Sequence, residues 1–240
     1  MEDLPNVSIL MPTYNRRKFL PLIMTNLYST TYPKKKLECI ILDDHKNPLF
    51  LNAKEVKIVE EKIGIKIIYH RDTRKHYTIG EKRNKLVKLS NYKICINMDD
   101  DDIYLPQYIK YSVGLLKKNN YGLVGSAEML FVYPHHNWKM TGIKCEALRQ
   151  IHEATMCYTK KYFKSMGGFK KNSQGEGASM VDFAENQCGF SECGNCMVCV
   201  CHKDNTIDKE MFNDKDIGDC KLDDHLKEVV KQCIDLEFII

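Results

Sequence analysis

Four consecutive carboxylates, Asp99 to Asp102, follow a short apolar run, Ile94-Cys95-Ile96-Asn97-Met98, and precede Ile103-Tyr104-Leu105-Pro106. Side chains alternate faces along a strand, so a strand entering this run directs Asp99 and Asp101 to the same side if it stays extended that far. Adjacent negative charges repel one another and gain nothing from burial unless a cation or hydrogen bonds offset them. At the carboxyl end of a buried strand the simplest such cation is Mg²⁺ or Mn²⁺, hard ions that take oxygen ligands and bridge phosphates. The carboxyl edge of an open α/β sheet is the usual ligand edge, and a nucleotide diphosphate would fit there. The competing reading is a solvated acidic turn held by local hydrogen bonds.

The elements that must position these acids can be read in chain order. Val7–Met11 is a buried strand ending in Pro12-Thr13-Tyr14-Asn15-Arg16, a turn rich in donors. Phe19–Tyr28 reads as a helix, and Leu37–Leu42 as a second buried strand that ends in Asp43-Asp44. The opening is therefore a βαβ unit whose near-continuously apolar strands suit a parallel sheet covered on both faces. The acidic pair can accept hydrogen bonds from a base or a ribose; the alternative is a solvated turn. Val56–Glu61 is read as a short edge element and Ile65–Tyr69 as the third strand. Thr78–Leu89 starts a helix with Lys82, Arg83 and Asn84 in its first turn, where cations are mildly unfavourable. An anion nearby would remove the conflict, and a helix N-terminus favours phosphate. A solvated basic face is the plainer reading. Ile94–Asn97 is the fourth strand and Pro106–Lys118 an amphipathic helix.

The second half is less regular. Leu123–Val132 supplies strand material around Gly125, and Asn137-Trp138-Lys139 reads as a strand return whose Trp either stacks on a sugar or packs as a surface aromatic. Ala154–Thr159 reads as a strand and Lys161–Met166 as a short helix capped by Gly167-Gly168. A polar loop, Lys170 to Gly177, contains Glu176. Ser179–Asn186 reads as a helix start bearing Asp182 and Glu185, and Met197–Cys201 as an alternating strand ending at His202. Leu222–Ile234 is a C-terminal helix with one apolar face, expected to pack on the rest; its mixed charges disfavour a membrane-surface role.

Composition bounds the function. The 240 residues suffice for one substantial core. A net charge of +4 and a pI near 8.4 do not fit a dedicated nucleic-acid binder. No apolar run is long enough for a transmembrane helix, and the N-terminus lacks the pattern of a secretory signal. Eleven cysteines, an odd number, without such a signal imply mostly free thiols in a reducing compartment. Cys193-x-x-Cys196, with Cys188 and His202 nearby, could make a zinc site, but a second clean pair is missing. Cys199 and Cys201 fit better as same-face strand residues.

The order PTYNR, DD, GEKRN and DDDD-x-x-x-P resembles the family 2 glycosyltransferases of the GT-A fold. An Ala-Thr-Met strand, a Gly-Gly-Phe turn, a Gly-Glu loop and His-x-x-Asn-Thr continue the resemblance over residues 5 to 206. It implies an α/β GT-A (Rossmann-like) fold with a mixed, mainly parallel sheet flanked by helices. The expected organisation is one domain over 1–240, with a nucleotide-sugar half (1–105), an acceptor half (106–206) and a tail helix (207–240). A nucleotide-sugar donor and Mn²⁺ or Mg²⁺ are implied as well. Asp101 would be the direct metal ligand, with Asp99 on metal or ribose and Asp100 on the nucleotide-sugar side. Pro12, Thr13, Tyr14 and Arg16 resemble the nucleobase loop, Asp43 and Asp44 the base and ribose readers, and Lys82 and Arg83 donor-side cations. His202 resembles a late histidine that completes the metal site; a polar strand cap is the equal alternative.

Sugar transfer needs a stabilised leaving diphosphate, which a metal supplies as a Lewis acid, and a base for the acceptor hydroxyl. The resemblance implies inversion by one in-line displacement, with the base on the face opposite the diphosphate. Glu176 and Asp182 are the candidates, because Gly175-Glu176-Gly177 stands where many relatives carry Gly-Glu-Asp. The expected reaction moves a hexosyl-type sugar from a nucleotide-diphospho-sugar, a UDP-sugar first, to a glycan or glycoprotein acceptor. The expected location is cytoplasmic, the host cytoplasm if the source is viral. Two rival readings are a nucleotidyltransferase of similar fold, which would more often show a glycine-rich loop where PTYNRR stands, and a non-catalytic module built on the cysteine cluster.

Overall fold

The computed structural model describes residues 4–182, 186–213 and 222–234. Eight elements build the first half: β1 (Val7–Thr13), α1 (Leu20–Ser29), β2 (Leu37–Asp43), α2 (Ala53–Ile63), β3 (Lys66–Arg71), α3 (Ile79–Leu89), β4 (Ile94–Asn97) and β5 (Ile103–Tyr104). The second half adds α4 (Tyr108–Lys118), β6 (Leu123–Gly125), β7 (Glu128–Tyr133), β8 (Lys139–Lys144), β9 (Cys157–Thr159), α5 (Lys160–Ser165), α6 (Ala178–Val181), β10 (Cys188–Phe190), β11 (Met197–Val200) and α7 (Asp224–Cys233).

Seven strands form one sheet in the order β10-β6-β9-β4-β1-β2-β3. Within it, β9 alone runs antiparallel to its neighbours, so the sheet is mixed and mainly parallel. Successive residues of β1 face opposite layers, as a strand requires. Ile9 and Met11 pack with α1 and α4 (Ile23, Leu27, Val113), whereas Leu10 packs with Leu86 and Val87 of α3. Helices therefore cover both faces, which explains the near-continuous apolar strands. A second sheet, β5-β11-β7-β8, packs through Val132, Val198 and Val200 against Val229 and Val230 of α7 and against Phe19 and Leu22.

β2 and β3 lie on one side of β1 and β4 on the other, so the connection order reverses between β1 and β4. Such a switch point opens a crevice at the strands' carboxyl ends, where the PTYNR turn and the aspartate run emerge together.

Several expectations change. The strand read over Ala154–Thr159 is confined to Cys157–Thr159, because Ala154 and Thr155 lie in a 3₁₀ turn. Val56–Glu61 lies within α2, not on a sheet edge: Asn52 caps the helix by accepting from Glu55 N (3.0 Å), and Gly64 ends it with a left-handed φ of 72°. Leu123–Val132 is two strands in different sheets, since the chain leaves the large sheet after Gly125. Asn137 and Trp138 form a turn with φ of 54° and 64°, and the strand return starts at Lys139; the Trp packs against the second sheet's core. The helix read over Ser179–Asn186 is the short α6, and Asp182 already has an extended backbone. Glu185 and the tail positions 214–221 and 235–240 lie outside the described residues. The short strands β5 and β10 had no distinct sequence signal.

Candidate active site

The crevice at the β1/β4 switch point has a volume of about 730 Å³, within the range that holds small ligands. Pro12, Thr13, Tyr14 and Arg16 line one wall and Asp99, Asp100 and Asp101 the floor. Asn15 holds the tip of the β1 turn with a φ of 55°, a conformation asparagine tolerates better than most residues. The Tyr14 ring lies edge-on to His45 and His76, each at 4.5 Å between centroids, and stays substantially exposed. Together these rings make an aromatic slot at the end of β1.

The Oδ2 atom of Asp101 is the focus of the floor. It accepts from Arg16 Nη2 at 3.0 Å and lies 3.2 Å from His202 Nε2. Burial alone would raise the Asp101 carboxyl, but His202 and Arg16 hold it below the ordinary carboxylate range. Burial pushes the His202 imidazole down, against the pull of Asp101. A neutral imidazole keeps the lone pair that a metal ligand needs. Arg16 also approaches Asp100 (Nε to Oδ1 3.6 Å) and reaches the carbonyl of Asp204 (2.7 Å). Burial and the Asp101 charge raise the Asp100 carboxyl well above its usual value. Asp99 is held by Arg83, whose Nη1 lies 3.0 Å from its Oδ1 and whose Nη2 donates to its Oδ2 (3.2 Å), whereas the buried Asp100 Oδ2 has no hydrogen-bond partner among the described residues. An unsatisfied buried carboxylate oxygen is costly, and a divalent cation would satisfy it. An oxygen set with one imidazole suits Mn²⁺ and, with less preference, Mg²⁺.

The fourth acid of the run behaves differently. Asp102 turns away from the crevice, accepts from Val200 N (3.0 Å) and faces Lys209 (3.9 Å). Burial raises its carboxyl to about 7. Asp102 thus ties β5 to β11 instead of forming the floor.

The first turn of α3 is built by a capping box, in which Thr78 and Glu81 exchange side-chain and backbone hydrogen bonds. Its cations are buried and already paired. Lys82 donates to Thr13 O (2.8 Å) and forms an ion pair with Asp44. Arg83 lies against Asp99 (Nη1–Oδ1 3.0 Å) and donates from Nε to Glu176 Oε1 (3.1 Å). The charge conflict noted in the sequence is thus resolved by three carboxylates of this chain. The helix N-terminus is also closed, because Ile79 N and Gly80 N donate to Ser173 Oγ (3.2 Å) and Asn172 O (2.9 Å). Only glycine fits at position 80, where a Cβ would meet Lys170 O at 1.7 Å. This docking brings the Lys170–Gly177 loop, and with it Glu176, to Arg83.

Asp43 and Asp44 stand behind the crevice and not on its surface. Asp43 accepts from His45 N (3.0 Å), Leu49 N (2.8 Å) and Tyr69 Oη (2.6 Å), which fixes the loop after β2. Asp44 holds Lys82 and Tyr77 N and lies 3.1 Å from His76 Nδ1. Glu176 is buried, and burial raises its carboxyl despite Arg83. Asp182 is half-buried at the exit of α6, and neither Glu176 nor Asp182 belongs to the crevice lining. The cysteines do not converge: Cys188 meets Tyr162 Oη (3.0 Å), Cys193 meets Met197 O (3.4 Å) and Cys196 meets Ser191 Oγ (3.5 Å). Residues not singled out from sequence also line the crevice, notably Asn47, Tyr77, Ser173 and Asp204. Asp204 follows His202 closely enough to have been included; Ser173 is placed only by the loop's docking on α3.

The model of the family described as glycosyl transferase family 2 matches residues 8–183, most of the chain and all of the crevice floor. The chain belongs to that family. An uncharacterized glycosyltransferase of Haemophilus influenzae is 28% identical over 124 residues, half of this chain and 36% of the relative. Among solved structures, S. aureus TarS 1-349 in complex with UDP superposes with a TM-score of 0.65 at 16% identity, over 81% of this chain and 60% of that one. The mannosyltransferase PcManGT of Pyrobaculum calidifontis, in complex with GDP-Man and Mn²⁺, gives a TM-score of 0.64 at 16% identity, over 99% and 71% of the two chains. The likeness to both establishes the GT-A fold of this family 2 chain. The chain spans only about a third of the Haemophilus relative and three-fifths of the TarS fragment. Among the described residues, no helix is long and apolar enough to cross a membrane.

Proposed function

We propose that this family 2 protein transfers a hexosyl-type sugar from a nucleotide-diphospho-sugar to a hydroxyl of a glycan or glycosylated acceptor, with inversion. The observation that carries the reading is the convergence of Asp99, Asp100 and Asp101 with His202 and Arg16 at the switch point, with one buried carboxylate oxygen, Asp100 Oδ2, lacking a partner among the described residues. Residues 1–105 would hold the donor, and 106–206 would shape the acceptor side. A UDP-sugar is the first candidate donor, supported by the fold shared with TarS, solved with UDP and with UDP-GlcNAc. GDP-mannose, present in the PcManGT complex, is the competitor.

Asp101 and His202 would hold Mn²⁺ or Mg²⁺, with Asp99 at the rim. Bound there, the ion supplies Lewis-acid stabilisation to the leaving diphosphate. The chain's own groups do the rest. Tyr14, between His45 and His76, receives the base. Arg16 lies beside Asp101 and adds positive charge near the diphosphate. Glu176 takes the proton of the acceptor hydroxyl as its oxygen bonds the anomeric carbon and the bond to the diphosphate breaks. Burial raises the Glu176 carboxyl and so makes it a stronger proton acceptor, with Arg83 opposing part of that rise. Asp182 remains the alternative base. Anomeric configuration of the product, followed by NMR with a hydrolysed or transferred donor, tests the reaction. Inversion with a UDP-sugar supports the proposal; retention, or no turnover of UDP- or GDP-sugars, overturns it.

A further inference from the structure

A second cluster of ligand atoms lies outside the crevice. His135 and His136 sit on the turn between β7 and β8, and Glu210 sits 75 residues along the chain from His135, in the segment after β11. One oxygen of Glu210 faces each ring: Oε1 lies 3.0 Å from His135 Nε2, and Oε2 lies 3.2 Å from His136 Nε2. Each of the three residues offers a ligand atom, and these atoms lie within 4.8 Å of one another.

Adjacent residues do not ordinarily aim at one point. Here the turn makes them do so. Pro134 opens it, and Asn137 and Trp138 reverse the chain with positive φ at two successive non-glycine positions. The opposite wall is fixed as well, since Tyr133 Oη donates to Lys209 O (2.8 Å) beside Glu210. Asn213 Nδ2 donates to Glu210 Oε2 (3.2 Å), the kind of outer contact that orients a ligating carboxylate. The Oδ1 of that amide is buried and has no hydrogen-bond partner among the described residues.

We propose that His135, His136 and Glu210 bind a divalent transition-metal ion, zinc by preference, which fastens the segment after β11 to the β7–β8 turn. Two imidazoles and one carboxylate select zinc-like ions over Mg²⁺, whose ligands are oxygens. In a tetrahedral zinc site with bonds of ~2.0–2.1 Å, ligand atoms stand roughly 3.3 Å apart. Each imidazole already stands near that spacing from one Glu210 oxygen, His135 from Oε1 and His136 from Oε2, and all the ligand atoms lie within 4.8 Å of one another. The side chains of His135, His136 and Glu210 are 25%, 42% and 48% exposed, so an ion has access and the rings have room to adjust. The fastened segment carries His202 to Asp101 and Lys209 to Asp102, so the site would brace the crevice from behind.

The test is a Co²⁺ titration of the untagged, chelator-stripped full chain in excess Mg²⁺, followed optically and then displaced with Zn²⁺. The expected result is one equivalent of Co²⁺ with visible d–d bands, without thiolate charge-transfer bands, released by Zn²⁺. Binding weakens at least tenfold in His135→Ala, His136→Ala and Glu210→Gln, persists in Asp101→Ala, and weakens about tenfold in Asn213→Ala. Zn²⁺ raises the melting temperature of the wild type and not of His136→Ala; His136→Asn, polar and of smaller volume change, repeats the test should the alanine variant fold poorly. The proposal is overturned by absence of a tight equivalent in the wild type, by binding that survives both histidine substitutions, or by binding lost only in Asp101→Ala.

Discussion

Glu38 and the Asp99–Asp101 run lie at opposite ends of the same parallel strands and are all largely withdrawn from solvent. Their surroundings differ in kind. At the amino end, Glu38 accepts from Ser8 Oγ (2.6 Å), Asn91 N (2.7 Å) and Asn91 Nδ2 (2.7 Å), so both oxygens are satisfied by neutral donors. At the carboxyl end, Asp100 keeps a buried oxygen without a partner among the described residues, Asp99 lies against the Arg83 guanidinium, and Asp101 shares one oxygen between a guanidinium and an imidazole. A satisfied buried acid belongs to the framework. A buried acid left short of partners belongs to a site, because its missing stabilisation must come from a ligand.

Substitutions at the two ends should separate function from stability. The largest effect is expected for Asp101→Ala: turnover falls by at least ~10²–10³-fold, the scale of losing one electrostatic contact to a transition state, with little change in melting temperature. Next comes Glu176→Gln, which should lower kcat by roughly 10²–10⁴-fold while leaving donor affinity in place. The burial-raised carboxyl of Glu176 also sets a sign: activity is lost as pH falls through a value above that of an ordinary glutamate, and the glutamine variant loses this acidic limb. A pH profile that keeps the limb moves the base to Asp182.

Glu38→Ala should do the reverse. It leaves Ser8 and Asn91 without their acceptor and costs about 1–3 kcal/mol of stability, read by denaturant unfolding, with nucleotide affinity unchanged. The smallest effect belongs to a partly exposed pair. Glu55 accepts from Arg17 at 2.8 and 3.1 Å, and Arg17 holds its carboxyl below the usual range. Glu55→Gln should cost about 0.5–1 kcal/mol. Because the folded value is depressed, that contribution is present above the unfolded value and disappears as pH falls through the folded one, so wild type and variant should converge in acid.

These contrasts also mark what the sequence could disclose. The strand runs, the turn after β1 and the aspartate run were legible because each is local: apolar continuity, strand ends and adjacent charges need no knowledge of distant chain. The ends of α2 are legible too, since Asn52 with Glu55 caps its start and Gly64 its end. The partners of Lys82 and Arg83 were not legible. A first-turn cation implies an anion, and sequence alone does not say whether that anion is a phosphate, Asp44 or Glu176, 93 residues from Arg83. Asp43 and Asp102 show the same limit. Each stands in an acidic motif, and only the neighbouring backbone N–H groups reveal that it braces a loop or a strand.

The acids at the carboxyl end of β4 are proposed to form a metal-dependent nucleotide site. Calorimetric titration with UDP and with GDP, in Mn²⁺ and in chelator, for the wild type and Asp101→Ala, tests it most directly. One nucleotide diphosphate is expected to bind in Mn²⁺, to be lost in chelator, and to be lost in the variant with the fold intact. Binding that ignores both the ion and Asp101, or no binding of either nucleotide, would contradict it.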